Sequence, residues 1–219
     1  MAKTWMTEYG LRTDGWESPL AADVRRHYES CDGTHWQRLF RCMRTPGVQA
    51  MAVTRFGQWT LQQPHWARYL LDPLYLLANL YVKVCWGIEM SRFTQIGPGL
   101  HIAHFGAIAV SPFAVLGRNC TLSQSTSIGV AGHGESEGAP VIGDDVYIGP
   151  GARLLGRIRI GNNVRIGPNA VVEEDIADNA VVAMEPGCKV VNYAGNRVHV
   201  QSRHDERLEV RSVEGIEGA

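Results

Sequence analysis

From Ile96 to Asn179 an aliphatic side chain returns every six positions, at Ile96, Ile102, Ile108, Leu122, Ile128, Ile142, Ile148, Leu154, Ile160, Ile166 and Val172. Gly follows many of them, as at Gly97, Gly129, Gly143, Gly149, Gly161 and Gly167, and a small or branched residue such as Thr126, Val146, Ala152, Val164 or Ala170 comes shortly after. A period of six is neither that of an amphipathic helix nor that of a half-buried strand. Self-similarity at a fixed period marks a solenoid, in which each repeat buries its apolar face only by stacking on the next. Six residues form one short side and three sides form one coil of a triangular parallel β-helix. The aliphatic residue points inward, and the Gly, Pro or Asn after it turns the corner.

Two irregularities interrupt the repeat. Between Ile108 and Leu122 the register slips by two, which predicts a bulge or a longer corner near Ser111-Pro112-Phe113. Between Ile128 and Ile142 the string VAGHGESEGAPV holds no inward aliphatic until Val141, and a solenoid tolerates such an insertion only as a loop leaving a corner. Loops of this kind carry binding residues more often than the scaffold does.

The chain before Gly87 follows a different pattern. Ser18-Pro19 reads as a helix start, Ser as N-cap and Pro at the first helical position, and the helix ends by Asp32-Gly33. A second helix is expected over about His35 to Arg44 and a third from Thr45-Pro46 to about Trp59. One or two more are expected over Gln62 to Trp86, with a break at Asp72-Pro73. The fold class is therefore α plus β-solenoid: an N-terminal helical domain over 1–86 after an irregular arm, a β-helix domain over 87–192, and a charged, flexible tail over 193–219.

Composition removes several function classes. Lysine plus arginine number 21 against 22 acidic residues, so there is no basic stripe for nucleic acid. The cysteines are Cys31, Cys42, Cys85, Cys120 and Cys188, an odd count with no CxxC pairing. That suits a reducing cytoplasm and argues against a disulfide framework or a cysteine metal site. The first residues lack an apolar signal core. The most apolar stretch, Tyr69 to Trp86, contains Asp72, Pro73, Asn79 and Lys83, which favours a buried or oligomer-facing helix over a membrane span. No metal-ligand constellation and no nucleotide-binding glycine motif is present.

The candidate chemistry centres on His104 in GLHIAHFGAIAV, two positions after the inward Ile102 and so near a corner open to solvent or to a neighbouring subunit. The strings GIEM (87–90), IGPGLHIAHFGAIAV (96–110), LSQSTSIG (122–129) and GAPVIGDDVYIGPGARLLGRIRIG (138–161) resemble the serine O-acetyltransferase branch of the hexapeptide-repeat acyltransferases. The resemblance is close over about 85–192 and extends weakly into DVRRHYES and TPGVQAMAVTRFGQW. It implies a left-handed β-helix, a trimer, and acetyl-CoA as donor substrate without a metal; the apolar stretch Leu70 to Trp86 predicts that trimers double through the helical domains. It further implies that His104 is the general base, accepting the proton of an acceptor hydroxyl as that oxygen attacks the thioester. An imidazole is chemically suited to this at neutral pH. A carboxylate fifteen positions earlier supports the ring in that family, much as the Asp of a serine-protease triad does. Here that residue is Glu89, where the family usually has Asp.

By the same resemblance, the pantetheine arm of acetyl-CoA lies against corner positions matched by Gly129, Gly149, Pro150, Gly167 and Pro168, with Arg165 toward the nucleotide phosphates. The acceptor side departs from the family. The Asp that commonly precedes the base is Ala103, the Arg-His pair of the loop falls on Gly138 and Ala139, and the helical Arg-Asp-Pro is replaced by Ser30-Cys31-Asp32. His133 in the loop is the remaining polar candidate. Charged ends of a substrate need fixed partners, so the sequence favours a saccharide or specialised-metabolite hydroxyl as acceptor. L-serine, as in cysteine biosynthesis, is the alternative, and a non-catalytic trimeric scaffold is the rival of another class.

Overall fold

The computed structural model describes residues 18–132 and 137–184. The N-terminal arm, the middle of the glycine-rich insertion with His133, and the tail expected at 193–219 lie outside the described residues. Among the described residues four helices come first: α1 (Pro19–Glu29), α2 (His35–Arg44), α3 (Pro46–Thr60) and α4 (His65–Tyr81), the last running into a π-helical turn, Val82–Trp86. Ser18 caps α1 as expected, its Oγ accepting from Ala21 N at 3.2 Å. Gly87, at φ 61° and ψ 34°, ends the turn in the left-handed region that glycine enters at least cost.

After Gly87 the chain winds a triangular solenoid of parallel strands. Face A stacks β1 (Ile88–Met90), β4 (Ile108–Val110), β7 (Ser127–Gly129), β10 (Arg153–Leu155) and β13 (Val171–Val172). Face B stacks β2 (Gln95–Ile96), β5 (Val115–Leu116), β8 (Val141–Ile142) and β11 (Arg159–Ile160). Face C stacks β3 (His101–Ile102), β6 (Thr121–Leu122), β9 (Tyr147–Ile148), β12 (Arg165–Ile166) and β14 (Val181–Val182). The inward rows are the predicted aliphatics, and Ile102, Leu116, Leu122, Ile128, Ile142, Ile148, Leu154 and Ile166 are fully buried. Coil backbones meet so closely at the corners that a Cβ on Gly149 would stand 2.8 Å from the Ile166 carbonyl oxygen.

The register slip is not where the repeat alone places it. On face A, β1 and β4 bury two side chains each, and the register pairs Met90 with Val110, Val110 with Ile128 and Ile128 with Leu154. Val110, not Ile108, therefore continues the six-residue row, and Ile108 stacks one step earlier. The extra length sits between Ile102 and Val110. At the other corners between faces C and A, two residues separate the inward aliphatic from the left-handed residue: Leu122 to Ser125, Ile148 to Gly151, Ile166 to Asn169. At the first such corner four residues do so, Ala103, His104, Phe105 and Gly106, before the left-handed Ala107. A stacked coil cannot absorb two extra residues inside, so they bulge outward.

The helices plug the open end of the first coil, covering strands that would otherwise present unpaired edges. Met51 and Val82 join the solenoid core above Ile88 and Leu100. Polar contacts set the register. Asp23, 1% exposed, accepts from the N–H groups of Gly99 and Leu100 at 2.7 and 2.8 Å and from Arg55 Nε at 2.7 Å. Arg55 donates onward to the carbonyls of Ile96 and Gly97. Arg26 donates to the carbonyls of Gly99 and Cys120 and to Thr121 Oγ1.

The expected break at Asp72-Pro73 is absent: α4 passes through Pro73. An interior proline costs a helix about 3 kcal/mol, and tertiary contacts offset this. Arg92 of the first coil donates to Asp72 Oδ1 at 2.6 Å, and its backbone N–H donates to the Tyr75 hydroxyl at 3.2 Å, pinning both sides of the proline to one loop. The outer face of α4 remains apolar and open, with Trp66, Tyr69, Leu70, Leu74 and Leu77 exposed. Among the described residues no helix is long and apolar enough to cross a membrane.

Breaking a buried ion pair on one side leaves the other charge stranded. Asp23→Asn is expected to lower unfolding free energy by about 3–5 kcal/mol, read as a fall in the urea midpoint at unchanged slope.

Candidate active site

The edge between faces C and A carries the strongest set of candidate groups. His104 is exposed on the bulged corner, and Phe105 beside it is 50% exposed. The N–H groups of Ser125, Gly151 and Asn169 donate to the carbonyls of Gly106, Gln124 and Pro150, so Gly106, Gln124, Pro150 and Pro168 form one row at this edge, and His104 stands on the bulge two residues before it. Gly149 and Gly167 lie in the same row of corners. The fold thus brings His104 onto one edge with Gly149, Pro150, Gly167 and Pro168. Gln124 Oε1, from the residue stacked on Gly106 in this row, is buried and without a hydrogen-bond partner among the described residues.

Other predicted residues fall elsewhere. Gly129 ends β7 at the opposite edge of face A, where the insertion leaves and returns. Ala131 and Gly138 close that insertion with reciprocal backbone hydrogen bonds of 3.2 Å, and Ala139 packs against the core. A Cβ on Gly138 would stand 2.7 Å from Arg157 Cβ, so this position offers backbone only. Ala103 is half-buried, its N–H bound to the Leu122 carbonyl. Arg165 is exposed on face C with its guanidinium 4.5 Å from the Tyr147 ring centre. His133 lies outside the described residues. Within one chain, His104 and the insertion are therefore on different edges.

Glu89 points outward from β1 on face A, one coil from the His104 corner. Its Oε1 lies 2.7 Å from Lys83 Nζ, both side chains being at least half exposed. Among the described residues no hydrogen bond joins Glu89 to His104. The corner is buttressed from the helical side. The Trp86 ring meets Phe105 edge-on, centroids 5.5 Å apart, and Trp86 Nε1 donates to Gln49 Oε1.

A second histidine cluster lies behind this corner and escapes sequence reasoning. His27 Nδ1–H donates to the Asp23 carbonyl at 2.9 Å, and its Nε2 accepts from Ile102 N–H at 3.2 Å. That pair of contacts requires a neutral ring in one tautomer. Burial pushes its pKa down. His101, on β3, sits 4.4 Å from His27 ring to ring and is driven down to about 4 by burial, then by His27, Arg26 and His104. The available signal was polar residues, Asp23, Arg26 and His27, at helical spacing on a face that packs inward. Their role is to dock α1 on the first coil.

A groove of about 450 Å³ runs along face B, lined by Gly143, Arg159, Asn162, Asp175 and Asp178 among others. It lies away from the His104 edge and contains no histidine, so the candidate chemistry is not there. Among the described residues no cluster of three or more His, Cys, Asp or Glu side chains could hold a metal.

Known proteins are similar to this chain in sequence and in fold. The bacterial transferase hexapeptide family, six repeats, matches residues 139–174. The serine acetyltransferase of Synechococcus elongatus is 32% identical over 179 residues, covering 82% of this chain and 70% of the relative. That of Mycobacterium tuberculosis is 32% identical over 142 residues, and this chain covers 59% of it. That of Staphylococcus aureus is 36% identical over 112 residues, 52% of its length. Among solved structures, Neisseria gonorrhoeae serine acetyltransferase in complex with serine superposes with a TM-score of 0.62 at 27% identity, over 78% of this chain and 67% of that one. Entamoeba histolytica isoform 3 in complex with cysteine gives a TM-score of 0.63 over 84% of this chain and 62% of that one, and at 23% identity it speaks to fold alone. That fold is an N-terminal helical part followed by a left-handed parallel β-helix.

The cluster behind the corner has a pH signature. The folded-state pKa of His101, about 4, lies below the ordinary 6.5, so the unfolded chain binds the extra proton first. Its contribution is present above pH 6.5 and is lost as pH falls toward 4, with His27 acting in the same direction. Unfolding measured across this window should show wild type losing stability relative to His101→Gln as the pH drops.

Proposed function

The chain belongs to the serine acetyltransferase family of hexapeptide transferases, and on that basis we propose that it is an acetyl-CoA-dependent O-acetyltransferase whose acceptor is L-serine. One observation carries the reading: the match to a serine acetyltransferase over 82% of the chain includes the bulged corner on which His104 stands. His104 takes the proton of the serine hydroxyl, and the oxygen attacks the thioester carbon of acetyl-CoA. The tetrahedral oxyanion collapses, the carbon–sulfur bond breaks, and the imidazolium returns its proton to the departing thiolate. Glu89 stabilises the imidazolium.

The row of Gly149, Pro150, Gly167 and Pro168 on the His104 edge supports a donor lying along this edge, with Arg165 farther along toward the phosphates. A saccharide or specialised-metabolite acceptor, favoured by the sequence because Ala103, Gly138 and Ala139 offer no charge, gives way to L-serine. The serine acetyltransferases matched here speak for the amino acid, and nothing in them speaks for a sugar. The free thiols of Cys31, Cys42, Cys85 and Cys120 suit a reducing compartment, and we place the reaction in the cytoplasm.

Assembly follows from the split between edges. His104 and the insertion can meet only if a second protomer brings its insertion edge against the His104 edge of the first. Threefold closure of that contact makes a homotrimer with a site at each junction, and the open apolar face of α4 is the surface through which trimers would pair. Light scattering at micromolar concentration should return three copies or a multiple of three. A stable monomer would contradict the shared site.

His104→Ala is expected to lower the turnover of L-serine by about 10²–10⁴-fold with the fold intact, the usual range for a lost general base. Glu89→Gln should cost less, since it removes charge but keeps a hydrogen-bonding group. Thiol release from acetyl-CoA, measured against L-serine, homoserine and sugar nucleotides, decides the acceptor. Efficient transfer to a sugar with none to L-serine would overturn the reading.

A further inference from the structure

We propose that Lys83, carried on the π-helical turn Val82–Trp86, is a positioning residue for acetyl transfer: it fixes one oxygen of Glu89 and so presents the other to His104. The proposal rests on the roles given to Glu89 and His104 above. A π turn is rare and recurs at functional sites. Here it does two things at once. It sets Lys83 Nζ 2.7 Å from Glu89 Oε1, and it lays the Trp86 ring against Phe105, the residue after His104.

The turn is also fastened to the bulged corner through its backbone. The Gly87 carbonyl accepts from Ile108 N–H at 3.0 Å, and a Cβ at Gly87 would stand 3.1 Å from Ala107 N. Lys83 and Glu89 thus lie on one short piece of backbone that is bonded at Gly87 to the strand leaving the His104 corner, so the fold holds the two segments side by side.

The need for such a residue follows from the side chain at this position. Glu89 is one methylene longer than the aspartate usual in the family, and it is 60% exposed. Each added rotatable bond costs entropy to orient. An exposed ion pair contributes little to stability. One ammonium hydrogen on Oε1 removes much of the carboxylate's freedom and leaves the lone pairs of Oε2 for the imidazole. Lys83 acts through Glu89 and does not touch the substrates.

The test uses full-length wild type, Lys83→Met, Lys83→Arg, Glu89→Gln and the double variant Lys83→Met/Glu89→Gln, with thiol release from acetyl-CoA and L-serine. Lys83→Met should lower kcat by about 2–5-fold, the scale of an exposed ion pair, with KM for both substrates unchanged. Lys83→Arg should restore kcat. In the Glu89→Gln background Lys83→Met should cost nothing further, because the pair acts as one unit. An additive loss in the double variant, a change confined to KM, or no rescue by arginine would overturn the proposal. A second readout needs no acceptor: the NMR order parameter of the Glu89 side chain should fall in Lys83→Met and stay high in Lys83→Arg. Equal order in all three proteins also overturns it. If wild type transfers nothing to L-serine, the acceptor assignment fails, and Glu89 order alone decides whether Lys83 positions it.

Discussion

The constraint on which this structure depends is the closure of each coil in eighteen residues with neighbouring backbones in contact at the corners. Backbone N–H and carbonyl groups pair from coil to coil, and each inward aliphatic stacks on the one above. Gly149 shows how little space is left, since even a methyl group there would meet the Ile166 carbonyl. Under that constraint extra residues have one outlet, away from the axis. The chain uses it twice, once for the two surplus residues that lift His104 and Phe105 off one edge and once for the glycine-rich insertion on another. Both candidate functional features are what the stacking could not absorb.

The helical part is subject to the same geometry. The first coil has no coil above it, so its backbone groups need other partners. Asp23 takes the N–H groups of Gly99 and Leu100, and Arg55 and Arg26 take the carbonyls of Ile96, Gly97 and Gly99. These side chains replace the missing coil. Their burial carries a desolvation cost that the completed network offsets, and His27 and His101 are held neutral as part of it. The docking also fixes where α4 ends, which determines how the π turn meets the His104 corner.

The acceptor question turns on charge. No basic side chain of this chain stands at Ala103, Gly138 or Ala139, and the two edges that carry the base and the insertion are separated by the width of face A. In the proposed trimer a site would draw groups from two protomers, so a partner for a substrate carboxylate need not come from the positions that sequence matching nominates. On that proposal, absent residues at the matched positions do not by themselves favour a neutral sugar.

The sequence by itself determined the solenoid, the inward rows, the helix starts at Ser18-Pro19 and Thr45-Pro46, and the candidacy of His104 and Glu89. Those features are local or periodic, and a six-residue period repeats the same physics at every coil. It mislocated the register slip, because one aliphatic per side is not the rule on face A, where Ile108 and Val110 are both buried and only strand pairing tells which one continues the row. It broke α4 at Pro73, because the bonds from Arg92 that hold both sides of the proline come from a loop twenty residues away. It left the Asp23–Arg55 network and the Lys83–Glu89 pair unseen, since both depend on which backbone groups the last helical turn and the first coil bring together. Periodicity specifies what each residue faces; tertiary structure decided which edges those faces share, and that placed His104 with the glycine-proline row and apart from the insertion.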